Sequence, residues 1–426
     1  MPAHALPTNE PERSYALYER ASSERTLVIL MIAASAVNYF NRSILGVAAP
    51  SLIHELGISE TAMGTIFSAF LLSYTVLMTP AGWLADRIGA ARVMAFAAVS
   101  WGFFTIATPM AAWAGMAASV AFLWMLGVRF LLGIASAPLY PACASMTNAF
   151  IPVHRAARTQ SLILSASALG SAVAPLLFSP LIQSVGWKLA FLVAGLGTWV
   201  IGAAWILNAK FYKARRADSV SPVRRNSYYA LFKNRRLLTL SASYFCLNYF
   251  EYIFFYWTYY YFGEVLHVGA SLTAIATTSI MMGMVVMGPA GGWLSDKLSL
   301  THGLQRSRRA VVVGALGLSA ILLFAGASAF GTYPTILLLT LAFGFASMSE
   351  GPFWASAISL AKDDAGTAGG LMNTIGNVGG IAAPVLTPFI ASRFGWQAAL
   401  WAGAGVVLLG MSAWFVMPMS EESGQG

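Results

Sequence analysis

Charged residues are scarce in this chain. Asp, Glu, Lys and Arg make up 10% of its 426 residues, and the mean hydropathy is +0.68. A soluble domain carries about 25% charged residues, so this chain has too little polar surface to cover a globule in water. The length instead accommodates about twelve membrane spans of roughly 20 residues with their connections. The composition therefore predicts a polytopic membrane protein.

Residues and motifs that enzymes and motors need are also rare or missing. The two cysteines, Cys143 and Cys246, lie in apolar runs, and we interpret both as packing residues. The five histidines lie in predicted loops or tails without metal-ligand spacing. The sequence has no Gly-x-x-x-x-Gly-Lys-Ser/Thr phosphate loop and no Gly-x-Ser-x-Gly nucleophile motif. We therefore expect no enzyme activity, no ATP-driven motor, no metal and no cofactor.

Twelve apolar segments account for most of the chain. They predict membrane helices at about 26–51, 61–85, 92–112, 119–150, 157–183, 188–211, 237–266, 272–295, 309–330, 334–361, 365–392 and 397–418. Residues 1–25 are polar and lack the pattern of a cleaved signal peptide. The first segment is then expected to direct membrane insertion.

The basic residues predict the orientation. If both termini are cytoplasmic, all of the 25 Lys and Arg lie on the cytoplasmic side except Arg42, Arg129, Lys188 and Arg393. Nine basic residues fall between Lys210 and Arg236, which predicts a loop facing anionic lipid rather than a nucleic-acid site. We expect a multi-pass protein of the inner (plasma) membrane with both termini inside.

The chain repeats itself at a fixed offset. Gly-Trp-Leu-Ala-Asp-Arg at 82–87 recurs as Gly-Trp-Leu-Ser-Asp-Lys at 292–297, which is an offset of 210. Ala-Pro at 174–175 and Gly-Trp at 186–187 recur at 383–384 and 395–396, an offset of 209. Two pairs at nearly one offset predict a duplicated six-helix unit. The predicted organisation is a tail at 1–25, a bundle at 26–211, a linker at 212–236, a bundle at 237–418 and a tail at 419–426.

The repeated motif predicts a conformational switch. Its glycine permits close helix approach, and the charged pairs Asp86–Arg87 and Asp296–Lys297 are placed to bridge helix ends on the cytoplasmic face. Ion pairs that form in one conformation and break in another would bias a rocking movement of the halves. The alternative is a plain interfacial turn with snorkelling charges.

Two arginines, Arg42 and Arg129, lie deep inside apolar segments. A charge at the bilayer centre costs roughly 2.5–3.5 kcal/mol on insertion scales. Such a residue persists where water, a partner or a ligand compensates it, so the pair indicates a pathway for something negatively charged. The alternative for each arginine is a structural tie between helices.

The repeated motif and the six-plus-six layout resemble the major facilitator superfamily. Within it, several stretches are similar to the anion:cation symporter family. They are Asn-Tyr-Phe-Asn-Arg at 38–42, Val-Ala-Ala-Pro at 47–50, Gly-Thr-Ile-Phe-Ser-Ala-Phe at 64–70, Arg-Phe-Leu-Leu-Gly-Ile-Ala-Ser-Ala-Pro at 129–138 and Gly-Gly-Leu-Met-Asn-Thr-Ile-Gly-Asn at 369–377. The resemblance implies a fold of twelve transmembrane helices in two six-helix pseudo-symmetric halves, all α. It also implies proton-driven uptake of organic anions, often sugar acids.

The resemblance also implies roles for individual residues. Arg42 matches the family's first-helix arginine, which holds a substrate carboxylate, and Arg129 matches the family's fourth-helix arginine. Asn373 and Asn377 match asparagines that face the sugar-acid pocket. The family's usual proton carriers are an aspartate and a glutamate, but here Asn41 and Ser136 stand at those two positions, and neither residue titrates near neutral pH.

The coupling proton therefore needs another carrier. Of the 16 acidic residues, only Glu251 and Glu350 fall well inside predicted spans, and we predict that one or both carry the proton. The alternative is a glutamate held structurally by neighbouring polar groups. Further substrate-binding candidates, from helical faces and from the matched stretches, are Tyr39, Asn41, Tyr74, Ser136, Asn248, Tyr252 and Trp354.

The sequence thus predicts a secondary transporter that moves a small organic anion by alternating access, with proton-coupled uptake. We expect it to act as a monomer, with the anion, the proton and membrane lipid as its partners and no nucleic acid. Two alternatives stay open. One is an exporter or exchanger of a zwitterionic or neutral metabolite or drug, and the other is a transporter-like sensor or channel.

Overall fold

The computed structural model describes residues 10–58, 60–219, 231–329, 331–361 and 364–417, which form helices and short connections without a strand. The first half contains α1 (Glu10–Leu56), α2 (Glu60–Ile88), α3 (Ala90–Ala107), α4 (Met110–Trp113), α5 (Ala118–Ser136), α6 (Leu139–Phe150) and α7 (Ala156–Ser219). The second half contains α8 (Arg235–Tyr260), α9 (Ala270–His302), α10 (Leu304–Ala327), α11 (Thr332–Ser347), α12 (Glu350–Ala361) and α13 (Ala365–Val416).

These helices cross the bundle twelve times within the described residues. The long helices α7 and α13 each turn back on themselves, at Gly186 (φ 78°) and Gly395 (φ 85°), in a backbone conformation that glycine adopts without steric cost. The pairs α5–α6 and α11–α12 each form one broken span. Nine described stretches are apolar enough to cross a membrane, two of them contain such a turn, and the tyrosine-rich α8 supplies the twelfth crossing. The predicted all-α, twelve-helix fold is confirmed.

Several predicted boundaries were wrong, because apolar runs mark the membrane and not the helix. The first helix begins at Glu10 rather than near 26, since Glu, Arg, Ala and Leu are good helix formers outside lipid as well. α9 extends to His302 rather than 295, and α10 begins at Leu304 rather than 309. The predicted linker 212–236 and tail 1–25 are described only in part and the predicted tail 419–426 not at all, since residues 1–9, 220–230 and 418–426 lie outside the described residues.

Two helix breaks shape the centre of the molecule. The fourth span pauses at Ala137–Pro138, and the tenth pauses at Met348–Ser349. Proline lacks the N–H that would continue the helical hydrogen bonds, so α6 starts afresh after Pro138. The two breaks lie near the repeat offset and place Tyr140 and Glu350 at the start of the inner helices α6 and α12.

The packing follows the duplication. In the first half α1 lies along α7, and in the second half α8 lies along α13. The halves meet chiefly through α7 with α9 and α2 with α13, and also through α7 with α12 and α6 with α13. By the repeat, α9 is the equivalent of α2, and α13 is the equivalent of α7. The two chief contacts are therefore equivalent, and the interface has pseudo-twofold symmetry.

Candidate functional site

The repeated motif closes one end of the bundle by capping helices across the interface. The carboxylate of Asp86, at the end of α2, accepts hydrogen bonds from the backbone N–H of Gly366 (3.1 Å) and of Thr367 (2.7 Å). It also accepts one from the Thr367 hydroxyl, at 2.7 Å. These donors belong to the first turn of α13, where N–H groups lack helical partners and the helix dipole favours an anion.

The second motif copy does the same in the opposite direction. The carboxylate of Asp296, on α9, accepts hydrogen bonds from the backbone N–H groups of Ala157 (3.3 Å) and Arg158 (2.7 Å), in the first turn of α7. Each half therefore caps a helix of the other half. We call this end of the bundle the Asp86 end, and the opposite end, which carries Glu55 and Trp187, the Glu55 end.

The motif glycines bring the two backbones into contact at the same place. A Cβ added at Gly82 would collide with the carbonyl group of Gly366, and one at Gly292 would lie 2.7 Å from the carbonyl oxygen of Ala157. Both distances are shorter than real Cβ contacts allow, so any larger residue would push the halves apart. The glycines and the capping aspartates together make a closed seam.

The basic members of the motif lie elsewhere. The guanidinium of Arg87 stacks over the Trp83 ring at 5.1 Å, and the ammonium of Lys297 lies 4.8 Å from the centre of the Trp293 ring. Among the described residues neither forms an ion pair with the aspartate beside it. The predicted Asp–Arg bridge is therefore not what holds this seam, because backbone N–H groups occupy both carboxylates.

A central cavity of about 380 Å³ lies between the two halves. On the side of the Asp86 end its floor includes a hydrogen bond between the hydroxyls of Thr79 and Thr374 (2.9 Å) and ring packing of Tyr140 on Trp354 (5.6 Å between centroids). The predicted site residues that line it are Tyr39, Arg42, Tyr74, Asn248, Glu251, Tyr252, Glu350, Asn373 and Asn377. Helices from both halves thus contribute to one chamber.

Arg42 is the basic residue on the described part of this wall. Its guanidinium carbon lies 5.3 Å from the ring centre of Tyr39, 5.2 Å from that of Phe70 and 5.8 Å from that of Tyr74. No carboxylate of the described residues lies within 4.0 Å of the guanidinium nitrogens. Aromatic faces hold the cation in place, while its charge is left without an anionic partner from the described chain.

Glu251 and Glu350 lie on the same wall, in the second half. Both are buried, and their carboxyl groups face each other and interact directly. The Tyr244 hydroxyl donates a hydrogen bond to Glu350 Oε2 (2.9 Å) and accepts one from the Trp354 indole N–H (3.1 Å). Glu251 Oε1 is buried without a hydrogen-bond partner among the described residues. Two carboxyl groups therefore share one wall of the cavity.

The asparagines of α13 are tied into the wall. The Asn377 side-chain amide donates to the backbone carbonyl of Asn373 (2.8 Å) and to its side-chain oxygen (3.1 Å). The Tyr252 hydroxyl donates to Asn377 Oδ1 at 3.1 Å. On α8, the Asn248 amide donates to the carbonyl of Tyr244 at 3.1 Å. The wall opposite Arg42 is therefore a connected set of polar groups.

Four other candidates lie outside the cavity wall. Arg129 is buried in the first half, and its Nε has no hydrogen-bond partner among the described residues. Asn41 donates to the Thr198 hydroxyl (2.8 Å), and Ser136 accepts from the Asn38 amide (2.9 Å). Trp354 lies beneath the chamber, as described above. Arg42 thus lies on the cavity wall and Arg129 lies off it, while Asn41 and Ser136 have neutral partners within the first half.

The cavity also includes residues that the sequence reasoning did not single out. On α7 they form one stripe with helical spacing, namely Leu164, Ser167, Ala168, Ser171 and Ala172. Ser171 shares a hydrogen bond with Ser43, at 3.1 Å. On α9, Met281 and Met284 complete the wall. The small and polar stripe on α7, spaced at i, i+3, i+4 and i+7, was the available signal.

The repeat relates the charged groups to one another. At the offset of 209 that two of the repeated pairs show, Arg42 of α1 corresponds to Glu251 of α8. At 210, Tyr140 of α6 corresponds to Glu350 of α12. The two positions carry an arginine and a tyrosine in the first half and two carboxyl groups in the second.

The chain is similar to several transporters along most of its length. It is 28% identical to a probable sulfoacetate transporter of Cupriavidus necator, over 88% of this chain and 89% of that protein. It is 28% identical to the hexuronate transporter of Bacillus subtilis, over 87% and 88%. It is also 28% identical to a probable galactarate/D-glucarate transporter of Escherichia coli strain K12, again over 87% and 88%.

Solved structures share the fold at lower identity. The fucose transporter FucP in its outward conformation matches with a TM-score of 0.73 and 15% identity, covering 93% of this chain and 100% of that one. A bacterial homologue of the iron transporter ferroportin, in an outward-facing state, matches with a TM-score of 0.74 and 13% identity, covering 92% and 99%.

The family model described as Major Facilitator Superfamily matches residues 31–384 and, in a second match, residues 303–426. Together these matches take in nearly all of the described helices. The chain is accordingly a multi-pass membrane transporter and not an enzyme, as the sequence predicted, and it belongs to the major facilitator superfamily.

Proposed function

We propose that this protein imports a small organic anion, most simply a sugar acid, by alternating access and together with protons. The observation that carries the proposal is Arg42, which faces a central cavity without an anionic partner from the described chain. A cation in such a place is stabilised when a carboxylate binds, through charge-assisted hydrogen bonds. The named substrates of the three relatives above, sulfoacetate, hexuronates and galactarate or glucarate, are all organic anions.

The cavity wall supports a sugar-like substrate. Asn248, Asn373 and Asn377 present amide groups, and Tyr39 and Tyr252 present hydroxyls, along the same chamber. Such groups donate to and accept from substrate hydroxyls. A carboxylate at Arg42 would direct the rest of the molecule toward this polar wall. Arg129, which lies off the wall, is proposed only as a secondary contributor.

Proton coupling is proposed through Glu251 and Glu350. The carboxylates usual in the resembling family are replaced by Asn41 and Ser136, and both of these are engaged in neutral hydrogen bonds. The two glutamates share the cavity with Arg42 and are buried. A buried carboxyl pair can take up a proton from one side and release it to the other as the cavity changes access.

The switch between states is proposed to be the seam at the Asp86 end. Asp86 and Asp296 hold it closed in this structure, and their hydrogen bonds must break for the cavity to open there. We propose that this end faces the cytoplasm, with both termini inside and the protein in the inner (plasma) membrane; the charge bias of the loops supports this orientation. We propose that it functions as a monomer, with residues 212–236 linking the two halves.

The decisive experiment is a thermal-shift screen of carboxylates on the purified protein and on Arg42→Ala. A bound ligand stabilises the folded protein in proportion to its occupancy. We expect a sugar acid to raise the melting temperature of the wild type and to leave Arg42→Ala unchanged. Equal shifts in both proteins would show that the anion binds elsewhere.

Transport is tested in proteoliposomes. We expect trans-stimulated uptake of the ligand, because alternating access exchanges substrate across the membrane; a sensor or a channel gives no such counterflow. Glu251→Gln and Glu350→Gln are expected to keep exchange but to lose accumulation driven by a pH gradient. If accumulation survives in both variants and in the double variant, these glutamates do not carry the proton.

The exporter or exchanger of a zwitterionic metabolite remains the second candidate function. The observation that favours it is the carboxyl pair opposite Arg42, which is suited to an ammonium group. Preloaded vesicles distinguish the two, because an exchanger needs internal substrate whereas a symporter accumulates substrate into empty vesicles.

A further inference from the structure

We infer that the cavity takes a substrate with a single negative charge, together with one proton, in an electroneutral cycle, and that it rejects dicarboxylates. This inference rests on the proposed function, since it specifies the substrate class and the proton count of the same site. It follows from the charges on the described cavity wall and from where they lie.

The wall holds three ionisable groups that matter near neutral pH: Arg42, Glu251 and Glu350. The other titratable groups that face them are the tyrosines of α1, α2, α6 and α8, and a tyrosine side chain ordinarily titrates near pH 10. They are Tyr39, Tyr74, Tyr140, Tyr244, Tyr252 and Tyr256. The net charge of the described wall is therefore set by one guanidinium and two carboxyl groups.

The cation and the carboxyl groups do not neutralise one another by contact. Neither glutamate lies within 4.0 Å of the Arg42 guanidinium nitrogens. Arg42 projects from α1 among the aromatic rings of the first half, whereas Glu251 and Glu350 pair with each other in the second half. A ligand between them meets a positive end and an acidic end.

Charge balance then distinguishes the forms of the cavity. The charges of the empty cavity balance when the pair holds one proton, because its remaining single negative charge then offsets Arg42. A monocarboxylate brings one negative charge, and one proton taken from water onto the pair offsets it. Both the empty form and the form loaded with a monoanion and a proton are neutral. The forms with only the proton or only the monoanion carry a net charge, and moving an unbalanced charge through a low-dielectric chamber is costly.

A second carboxylate on the substrate has no cation to meet. It would lie against Glu251 and Glu350, where Oε1 of Glu251 is already buried without a donor among the described residues. Once the pair has taken up its second proton it can accept no more, so the second carboxylate would leave the chamber with a net negative charge, which is costly to bury. An acid whose far end is a neutral hydroxyl can instead accept from and donate to the carboxyl pair and to Asn248.

The experiment compares ligands that differ at one carbon. Gluconate, glucarate and 6-amino-6-deoxygluconate share the same hydroxylated chain and end in a hydroxymethyl, a carboxylate and an ammonium group; galactonate and galactarate make a second matched pair. Binding to purified wild-type protein is measured by calorimetry. We expect each dicarboxylate to bind at least about 100-fold more weakly than its monocarboxylate partner.

A variant tests the cause. In Glu251→Gln/Glu350→Gln the acidic end becomes neutral, so the ratio of gluconate to glucarate affinity is expected to fall at least about tenfold. Glu264→Gln, which removes an exposed carboxylate outside the cavity, is the matched control and should leave the ratio unchanged. An unchanged ratio in the double variant overturns the assignment of selectivity to the pair.

Flux measurements test the stoichiometry without any variant. We expect uptake of gluconate into proteoliposomes to be driven by a pH gradient and to be unaffected by a potassium–valinomycin potential. Accumulation driven by the potential alone would overturn the electroneutral cycle.

The outcomes separate this inference from the proposed function. If dicarboxylates bind as well as monocarboxylates and both are lost in Arg42→Ala, the inference fails while the proposed function stands. If the ammonium-ended acid binds best, the pair serves a substrate cation rather than a proton, and the inference fails. If none of the five acids binds, the proposed sugar-acid function fails and the inference fails with it.

Discussion

Aromatic rings, and not a carboxylate, hold the cation at the centre of this transporter. Arg42 lies within 6 Å of three ring centres contributed by α1 and α2. A planar guanidinium stacks on such rings and still presents paired donors at its edge, whereas a lysine ammonium is a strongly hydrated point charge. The shape of the cation, and not its charge alone, is expected to matter.

Replacing Arg42 by lysine tests this at the residue scale. We expect the affinity for a bound carboxylate to fall at least about tenfold, or roughly 1.4 kcal/mol, because one of two parallel hydrogen bonds is lost. Calorimetry on purified protein measures it. Arg393→Lys is the matched control, because Arg393 also stacks on a ring, Phe389 at 3.9 Å, but lies outside the cavity. Equal losses in both variants would point to a general effect on the fold.

Tyr244 connects Glu350 to Trp354 within the buried wall. In Tyr244→Phe the Trp354 indole N–H loses its acceptor, and a buried polar group left without a partner costs about 1–3 kcal/mol. We expect a lower melting temperature in detergent. Tyr256→Phe is the control, because Tyr256 is half exposed and no hydrogen bond of its hydroxyl is found among the described residues. Identical melting of Tyr244→Phe and wild type would contradict the connection.

At the scale of helices, the two halves exchange caps. α2 supplies Asp86 to the first turn of α13, and α9 supplies Asp296 to the first turn of α7. A side-chain cap stabilises a helix start by about 0.5–2 kcal/mol. Here the capping residue and the capped helix belong to different halves, so the proposed opening of this end would forfeit that energy.

Removing a cap should open the Asp86 end. With spin labels on Ile88→Cys and Leu300→Cys, both exposed positions at that end, we expect Asp86→Asn to increase the population of long distances and Asp86→Ala to increase it further. The native Cys143 and Cys246 are buried, which keeps the labelling selective. Arg87→Gln should leave the distribution as in wild type, because Arg87 stacks on Trp83 and caps no helix among the described residues. A distribution that is the same in all four proteins would rule out the cap as a switch.

At the opposite end a different contact joins α1 to the second segment of α7. Glu55 pairs with Lys188 and accepts a hydrogen bond from the Trp187 indole N–H at 2.6 Å. The hydrogen bond from Lys188 is the main cause that lowers the pKa of Glu55 below its ordinary value, and the Trp187 bond acts in the same direction.

The sign of this pH dependence follows from the lowered pKa. The folded state favours the ionised form of Glu55. Its contribution to the free energy of unfolding is therefore fully present above the ordinary pKa of about 4.3, and it is lost as the pH falls through the lowered pKa. Because both side chains are partly exposed, we expect less than about 1 kcal/mol. The melting temperature of the wild type should be slightly higher than that of Glu55→Gln between pH 5 and pH 8. The two melting temperatures should become equal at about pH 3. Glu264→Gln should follow wild type throughout, and a gap that persists in acid would refute the pairing.

At the scale of the whole molecule, the floor of the cavity can be locked. The hydroxyl oxygens of Thr79 and Thr374 are 2.9 Å apart across the two halves, close enough for a disulfide in Thr79→Cys/Thr374→Cys. We expect the oxidised protein to bind substrate but not to transport it, and reduction to restore transport. Each single variant is the control. Transport that continues in the fully cross-linked protein would show that the halves need not separate at this point.

The features that could be predicted from the sequence are those set by local forces. The twelve crossings and the duplication were predictable, because bilayer thickness fixes helix length and both copies of the motif, 82–87 and 292–297, are visible in the chain. Arg42, Glu251 and Glu350 stood out because charge is rare in membrane spans. The breaks at Ala137–Pro138 and Met348–Ser349 were missed, because prolines also occur inside unbroken helices such as α2.

The remaining gaps concern pairings between distant parts of the chain. Nothing local to Asp86 shows that its partners are Gly366 and Thr367, some 280 residues later. Likewise, the position of Arg129 off the wall depends on how α5 is rotated in the bundle. Both are tertiary outcomes, for which spacing along one helix carries no signal.

The glycine seam has a practical consequence for anyone who wishes to trap this protein. Gly82 and Gly292 are covered by carbonyl groups of the opposite half in this structure, and in the proposed cycle they are uncovered when the Asp86 end opens. An antibody fragment or macrocycle raised against the exposed groove around either glycine would bind the conformation that is open at the Asp86 end and not the conformation that is closed there. Such a binder would keep the two halves apart at this end and inhibit transport without contacting the central cavity.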